Sequence, residues 1–445
     1  MNAYLLKYGV CGIKNLKEYI ELSFYKKGIE KNFDPSDYKI KSIYGENGAG
    51  KTAIVTSFSI LKKLILFPDY LSDPKTQDLL HHIVHKETQM FRLYAEFLIM
   101  IHEIPHVFSY EISVEKDENT ETYEITHETL KYKKATYAKA VYRELFEVNN
   151  GRFTLLAADE NELEIITNRT MNLLKRSSAI SRLMELFADQ LADAKAKDLS
   201  TAVLLLQYTA LQMYAFLNEE DEHYLFYAKK NLEKLRDVSD ITNEHIKKTL
   251  HQMNEIISFR TNRIPKEAMP AYERKIQSLT SFIRIFKSSL QEIHIEKKDF
   301  DAKYYEVSLV FDYQTYRVDY EFESTGIKKM VQVYDAIWAV SKGGIVFVDE
   351  FDANINSIYF DKLIEYVRDY SNGQLCFTVH NTSSMDSLKA GKDSINFLTN
   401  DNQIVRWTKN GHYSPDVLYR NGMIEKMPFN IYGSDFVSIF EDDYE

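Results

Sequence analysis

The run Gly45-Glu46-Asn47-Gly48-Ala49-Gly50-Lys51-Thr52 reads G-x-x-x-x-G-K-T and stands between an extended stretch, Ile40 to Tyr44, and an apolar helical stretch. A loop of this composition between strand and helix commits the chain to a parallel α/β layer. Its glycines let successive N–H groups and the helix N-terminus converge on phosphate oxygens. The backbone at Gly45, Asn47, Gly48 and Gly50 then forms the cradle. Lys51 reaches the terminal phosphates, and the Thr52 hydroxyl completes a Mg²⁺ shell. A nucleotide and Mg²⁺ are the expected occupants.

At 445 residues and 44% hydrophobic, the chain can bury a large core of two or three ordinary domain units. Its two cysteines, Cys11 and Cys376, are too far apart in sequence to suggest a metal motif, and a reducing, cytoplasmic setting is expected. No leader-like N-terminus and no apolar run of membrane-spanning length is seen, so no membrane role is expected. The formal charge of −11 argues against a general DNA-coating protein. A local exception is the basic run from Arg260 to Lys298, which is either a solvated helix face or a DNA-contacting patch.

Along the chain, residues 1–156 read as strands, the phosphate loop with its helix, and β hairpins turning at Glu118-Asn119-Thr120 and Asn149-Asn150-Gly151. Residues 157–292 read as a helical insertion: between Glu160 and Gln291 there is no glycine, and only Pro265 and Pro270 interrupt the pattern, as an elbow between helices. Stripes such as Leu204, Leu205, Tyr208 and Leu211, or Ile241, His245, Ile246 and Leu250, fit core packing or the flank of a short coiled-coil arm. From residue 293 to 445 the β pattern returns and then alternates with helices, with Gln403 to Trp407, Asn410-Gly411 and Asn421-Gly422 as closing hairpins.

Gly343 to Val348 is a continuous apolar run ending in Asp349-Glu350, the pattern of a buried parallel strand that delivers carboxylates to the ligand crevice. Asp349 is expected to hold Mg²⁺ through water, and Glu350 to orient and deprotonate an attacking water. Upstream, Ser324-Thr325-Gly326 opens an amphipathic helix as an ordinary cap would. Downstream, the strand Gln374 to Val379 ends at His380-Asn381.

The order of phosphate loop, long insertion, S-x-G turn, Asp-Glu strand and terminal His resembles the ABC-type ATPases of the SMC, RecF and OLD group. Within that group it is similar to the AAA family ATPases of prokaryotic anti-phage defence, including the ATPase subunits of PARIS, Septu and AbiL-type systems. The resemblance implies an α/β ABC-ATPase head with a mixed sheet, interrupted by the helical insertion. It implies that Ser324 and Gly326 form the signature loop that meets nucleotide held by another subunit, and that His380 is the γ-phosphate switch residue. A homodimer or higher homo-oligomer follows from that sharing. Two positions depart from the family: Ala353-Asn354-Ile355-Asn356-Ser357 replaces the usual D-loop Asp, and Gln89 is the best available Q-loop candidate.

No fused Toprim nuclease of the OLD type is expected in the 65 residues after His380. The expected role is therefore that of the ATP-hydrolysing sensor or scaffold of a two-component defence system, controlling a separate nuclease or toxin, with DNA or a phage component as trigger. The alternative is a RecF- or SMC-like DNA-binding ATPase of repair or chromosome maintenance.

Overall fold

The computed structural model describes residues 3–25, 29, 33–101, 104–136, 139–190, 197–217, 263–391, 393–407 and 413–424. The described chain is mixed α/β, the expected class.

Strands β1 (Ala3–Cys11), β2 (Ile20–Ser23), β4 (Met90–Ile101), β5 (Ile104–Lys116), β6 (Tyr123–Lys134), β7 (Arg143–Asn149) and β8 (Arg152–Leu156) form a seven-stranded antiparallel sheet in the order β2-β1-β4-β5-β6-β7-β8. Tight turns explain its later hairpins. Asn150 and Gly151, between β7 and β8, both have positive φ, 47° and 77°, as a two-residue hairpin turn matched to strand twist requires.

A second sheet carries the phosphate loop. Its order is β17-β16-β3-β15-β14-β9, comprising β3 (Ile40–Tyr44), β9 (Met213–Phe216), β14 (Ile345–Val348), β15 (Gln374–Thr378), β16 (Ile395–Leu398) and β17 (Ile404–Arg406). All pairings are parallel except β16 with β17. Every residue of β3, β14 and β15 is buried. Alternation sends Ile43, Ile345, Phe347 and Cys376 into one core and Ile40, Val346, Val348, Leu375 and Phe377 into another, so the sheet is covered on both faces.

Helix α1 (Lys51–Leu66) lies in the first core, with most of its residues buried. Phe58 stacks on Phe347 at 3.8 Å, and Tyr8 of β1 meets both rings edge-on. The Tyr8 hydroxyl also donates to Ser57 Oγ at 2.7 Å. The two sheets are stapled by Gln374, whose amide exchanges hydrogen bonds with both backbone groups of Leu5, at 2.6 and 2.9 Å.

Helices α2 (Pro74–Ile83), α3 (Glu160–Thr170), α4 (Ala179–Gln190) and α5 (Lys197–Leu211) follow. Buried residues of α3, α4 and α5 join the same core as α1. A third core links α6 (Met269–Phe286) and α7 (Thr325–Ser341) with β11 (Leu290–Asp299) and β12 (Tyr304–Tyr313). These strands form a small antiparallel sheet with β10 (Arg263–Pro265) and β13 (Arg317–Asp319). Helix α8 (Ser357–Tyr370) covers the second face of the parallel sheet together with α7.

Several sequence expectations change. The stretch read as wholly helical, 157–292, contains β9, which pairs with β14 inside the parallel sheet; four residues are too few to show a strand period after a long helix. Its expected end at 292 falls within β11. Pro265 closes a strand and Pro270 stands at the start of α6, so the elbow joins strand to helix, where proline's missing N–H is harmless. Asn421 caps the short helix Pro415–Arg420, with Gly422 just beyond, in place of a hairpin. The stripe Ile241, His245, Ile246 and Leu250 lies outside the described residues.

Candidate nucleotide site

The loop from Gly45 to Gly50 joins buried β3 to buried α1, which fixes both of its ends. Gly48 and Gly50 have φ of 85° and 110°, a region costly for other residues. A Cβ on Gly50 would lie 2.5 Å from Leu16 Cδ2, while one on Gly48 would meet nothing within 4 Å among the described residues. Gly50 is thus required by packing as well as by conformation, and Gly48 by conformation alone. Neighbouring loops hold the rim: Asn15 donates its amide to the Gly48 carbonyl, and Asn400 donates to the Glu46 carboxylate. Asn402 accepts from the N–H groups of Lys17 and Glu18, tying the Asn15 loop to the end of β16.

Lys51 is buried, and its amine donates to the carbonyls of Gly45 and Glu46 at 2.7 and 3.0 Å. Burial lowers its pKa, opposed by the negative fields of Asp349, Glu350, Asp352 and Glu46. The phosphate-loop lysine and the acids at the end of β14 therefore share one electrostatic site, although about 300 residues separate them in sequence.

Strand β15 lies between β3 and β14 and supplies the link. The buried Thr378 hydroxyl donates to Asp349 Oδ1 at 2.6 Å and accepts from the Glu350 N–H at 2.7 Å. Glu350 has φ of 49°, an uncommon conformation for a side chain of its size. Such strain is characteristic of functional sites, where surrounding contacts hold it in place. His380 Nε2 lies 3.6 Å from Glu350 Oε1. Its loop is held by Asp352, whose carboxylate accepts from the N–H of His380 at 3.3 Å and of Asn381 at 2.8 Å. Burial raises the pKa of Asp352, while those backbone donors act in the opposite direction.

Ser324 caps α7, its hydroxyl accepting from the Ile327 N–H at 3.3 Å, and Glu323 accepts from the Ser324 N–H. This turn reaches the acids indirectly. One turn into the helix, buried Lys329 donates its amine to the main-chain carbonyl of Asp349 at 3.0 Å. In the region of the expected D-loop, Asn356 caps α8 by accepting from the Ile358 N–H. Gln89, at φ 48°, accepts through its carbonyl from Lys116 N–H, closing the β4–β5 end.

No protein-family model matches this chain, and no curated protein matches it. Solved structures do. The SMC head bound to the C-winged helix domain of ScpA is similar at 12% identity, covering 91% of this chain and 98% of that chain, with a TM-score of 0.37. The SMC head domain from Thermotoga maritima is similar at 14% identity, covering 91% of this chain and 100% of that chain, with a TM-score of 0.31.

The donor set also fits a nucleotide-bound Mg²⁺. That ion takes hard oxygen ligands, usually one or two from protein and the rest from phosphates and water. The Thr52 hydroxyl at the start of α1 and the Asp349 carboxylate are of that kind. Sequence reasoning missed Thr378, Asp352, Lys329 and Asn15. Thr378 alone left a trace, a hydroxyl within an otherwise apolar strand end, Leu375-Cys376-Phe377-Thr378-Val379.

Among the described residues, no helix is long and apolar enough to cross a membrane. Several charges in the basic run are locally neutralised. Lys275 pairs with Asp335, Lys266 with Asp299, and Lys297 with Glu273.

Proposed function

We infer that the chain is a Mg²⁺-dependent ATPase of ABC type. The carrying observation is Lys51 within the field of Asp349, Glu350 and Asp352, across a strand that also delivers His380 beside Glu350. Backbone N–H groups from Gly45, Asn47, Gly48 and Gly50 and the Lys51 amine bind the phosphates. On nucleotide arrival, Lys51 exchanges its loop carbonyls for phosphate oxygens. Thr52 and Asp349 would hold Mg²⁺, which would supply positive charge to the phosphate oxygens. Glu350 accepts a proton from the attacking water, and His380 hydrogen-bonds near the transferring phosphoryl group. Purified protein should hydrolyse ATP with Mg²⁺. Lys51→Ala should lose nucleotide affinity, whereas Glu350→Gln should keep it and lose about 10² to 10⁴-fold in turnover. Equal turnover by all three proteins would overturn the reading.

The two halves of the ATPase are assigned to 1–156 and 293–445. Of the intervening 157–292, α3 to α5 and β9 pack in the same core as α1. A homodimer, with Ser324 and Gly326 facing nucleotide held by the other copy, is supported by the exposure of Ser324 and its helix N-terminus.

The defence role rests on the motif resemblance. On that reading the ATPase works in the cytoplasm and governs a separate nuclease or toxin through ATP-dependent assembly. Affinity isolation of Glu350→Gln protein from its native host tests it. A stoichiometric nuclease-like or toxin-like protein supports it, and DNA without a protein partner favours the RecF- or SMC-like alternative.

A further inference from the structure

We propose that Thr378 is the positioning residue that sets the geometry of the acidic pair, acting through Asp349 and Glu350 without touching nucleotide. The proposal rests on the ATPase reading above. One hydroxyl serves both acids: it donates to the Asp349 carboxylate and accepts from the Glu350 backbone N–H. That uses its single hydrogen and a lone pair, so the direction of both bonds is determined. The side chain is 0% exposed, and no solvent is at hand to replace it.

The consequences for the two acids differ. For Asp349, the bond to Oδ1 fixes the orientation of the carboxylate that would hold Mg²⁺. Glu350 has its backbone pinned at a positive φ just where the chain leaves β14, and this aims its side chain toward His380. A second tie arrives from the same strand, as the Thr378 carbonyl accepts from the Phe351 N–H at 3.0 Å. Thr378 thus clasps both ends of the Glu350 residue. Because β15 is also the strand paired with β3, the clasp references the acids to the phosphate loop itself. Such second-layer support holds reacting groups in productive geometry.

The test compares Thr378→Val, which keeps shape and removes the hydroxyl, with Thr378→Ser, which restores it. Each is assayed for ATP turnover, for binding of a fluorescent ATP analogue with and without Mg²⁺, and for thermal unfolding. Thr378→Val should bind the analogue without Mg²⁺ within about threefold of wild type, lose its Mg²⁺-dependent gain in affinity, and fall at least about tenfold in kcat. Thr378→Ser should recover both.

A Thr378→Val protein that is folded and retains wild-type kcat and Mg²⁺ response overturns the proposal. So does equal loss in the Ser and Val variants, or loss of metal-free binding, which would mark a general packing defect. If wild-type protein itself neither binds nor hydrolyses ATP, the failure lies in the ATPase reading, and this proposal falls with it.

Discussion

Single residues in this protein carry loads their sequence context conceals. Glu128 sits on β6 with no solvent exposure, its carboxylate accepting from the N–H groups of Ala179 and Ile180 at the start of α4 and from the Tyr110 hydroxyl. Burial raises its pKa to about 7, and the three donors restrain the rise. A carboxyl group whose folded pKa exceeds its unfolded value binds more protons when folded. Its contribution is therefore fully present below about pH 4.5 and is lost as pH rises through about 7. We expect Glu128→Gln to flatten the stability profile across that window by a few kcal/mol. Urea unfolding of both proteins at pH 5 and pH 8 measures this; parallel profiles would refute the assignment. Glu128 is also a cap that no local pattern announces, since the helix it serves begins about fifty residues later.

Among the elements, α7 is held at several points. Its cap is the Ser324 turn, Lys329 binds the Asp349 carbonyl, and Asp335 forms a buried pair with Lys275 of α6 at 2.6 Å. The Lys275 amine also lies 5.0 Å from the Trp338 ring. Removing one partner of a buried pair leaves an uncompensated charge, which costs about 3–5 kcal/mol, whereas replacing both with apolar residues is often neutral. Lys275→Met should accordingly destabilise strongly, and Lys275→Met with Asp335→Leu should recover most of the loss in denaturant titration. Additive losses would show that the pair is not coupled.

Legibility in the sequence follows the same division of scales. The strand, loop and helix around Lys51, the strand before Asp349 and the hairpins after Met90 were readable because their signals are contiguous. Thr378, Lys329 and the Gln374 staple were not, because each makes its contact across elements remote in sequence. β9 was missed for another reason. It is four residues long and follows a helix directly, so its membership of the parallel sheet is settled by β14 and not by its own pattern.

At the scale of the whole molecule, Gly326 bears on the proposed dimer. It stands in the first turn of α7 without a positive φ, and among the described residues a Cβ there would meet only Ser324 Oγ, at 4.0 Å. Nothing among the described residues requires glycine at this position, and glycine in a helix costs up to about 1 kcal/mol relative to alanine. A surface approaching closely from outside the chain would supply a reason. In the proposed dimer, that surface is nucleotide seated in the phosphate loop of the second copy. Two substitutions separate the effects. Gly326→Ala should leave the monomer as stable as wild type or slightly more so, while Gly326→Arg should keep nucleotide binding to the isolated chain yet block association. The readout is light scattering of each variant in a Glu350→Gln background with ATP and Mg²⁺. We expect the background protein to double in mass on ATP addition, the Ala variant to do so more weakly, and the Arg variant to stay monomeric. An Arg variant that dimerises as well as its parent would remove this turn from the interface and place the second copy elsewhere.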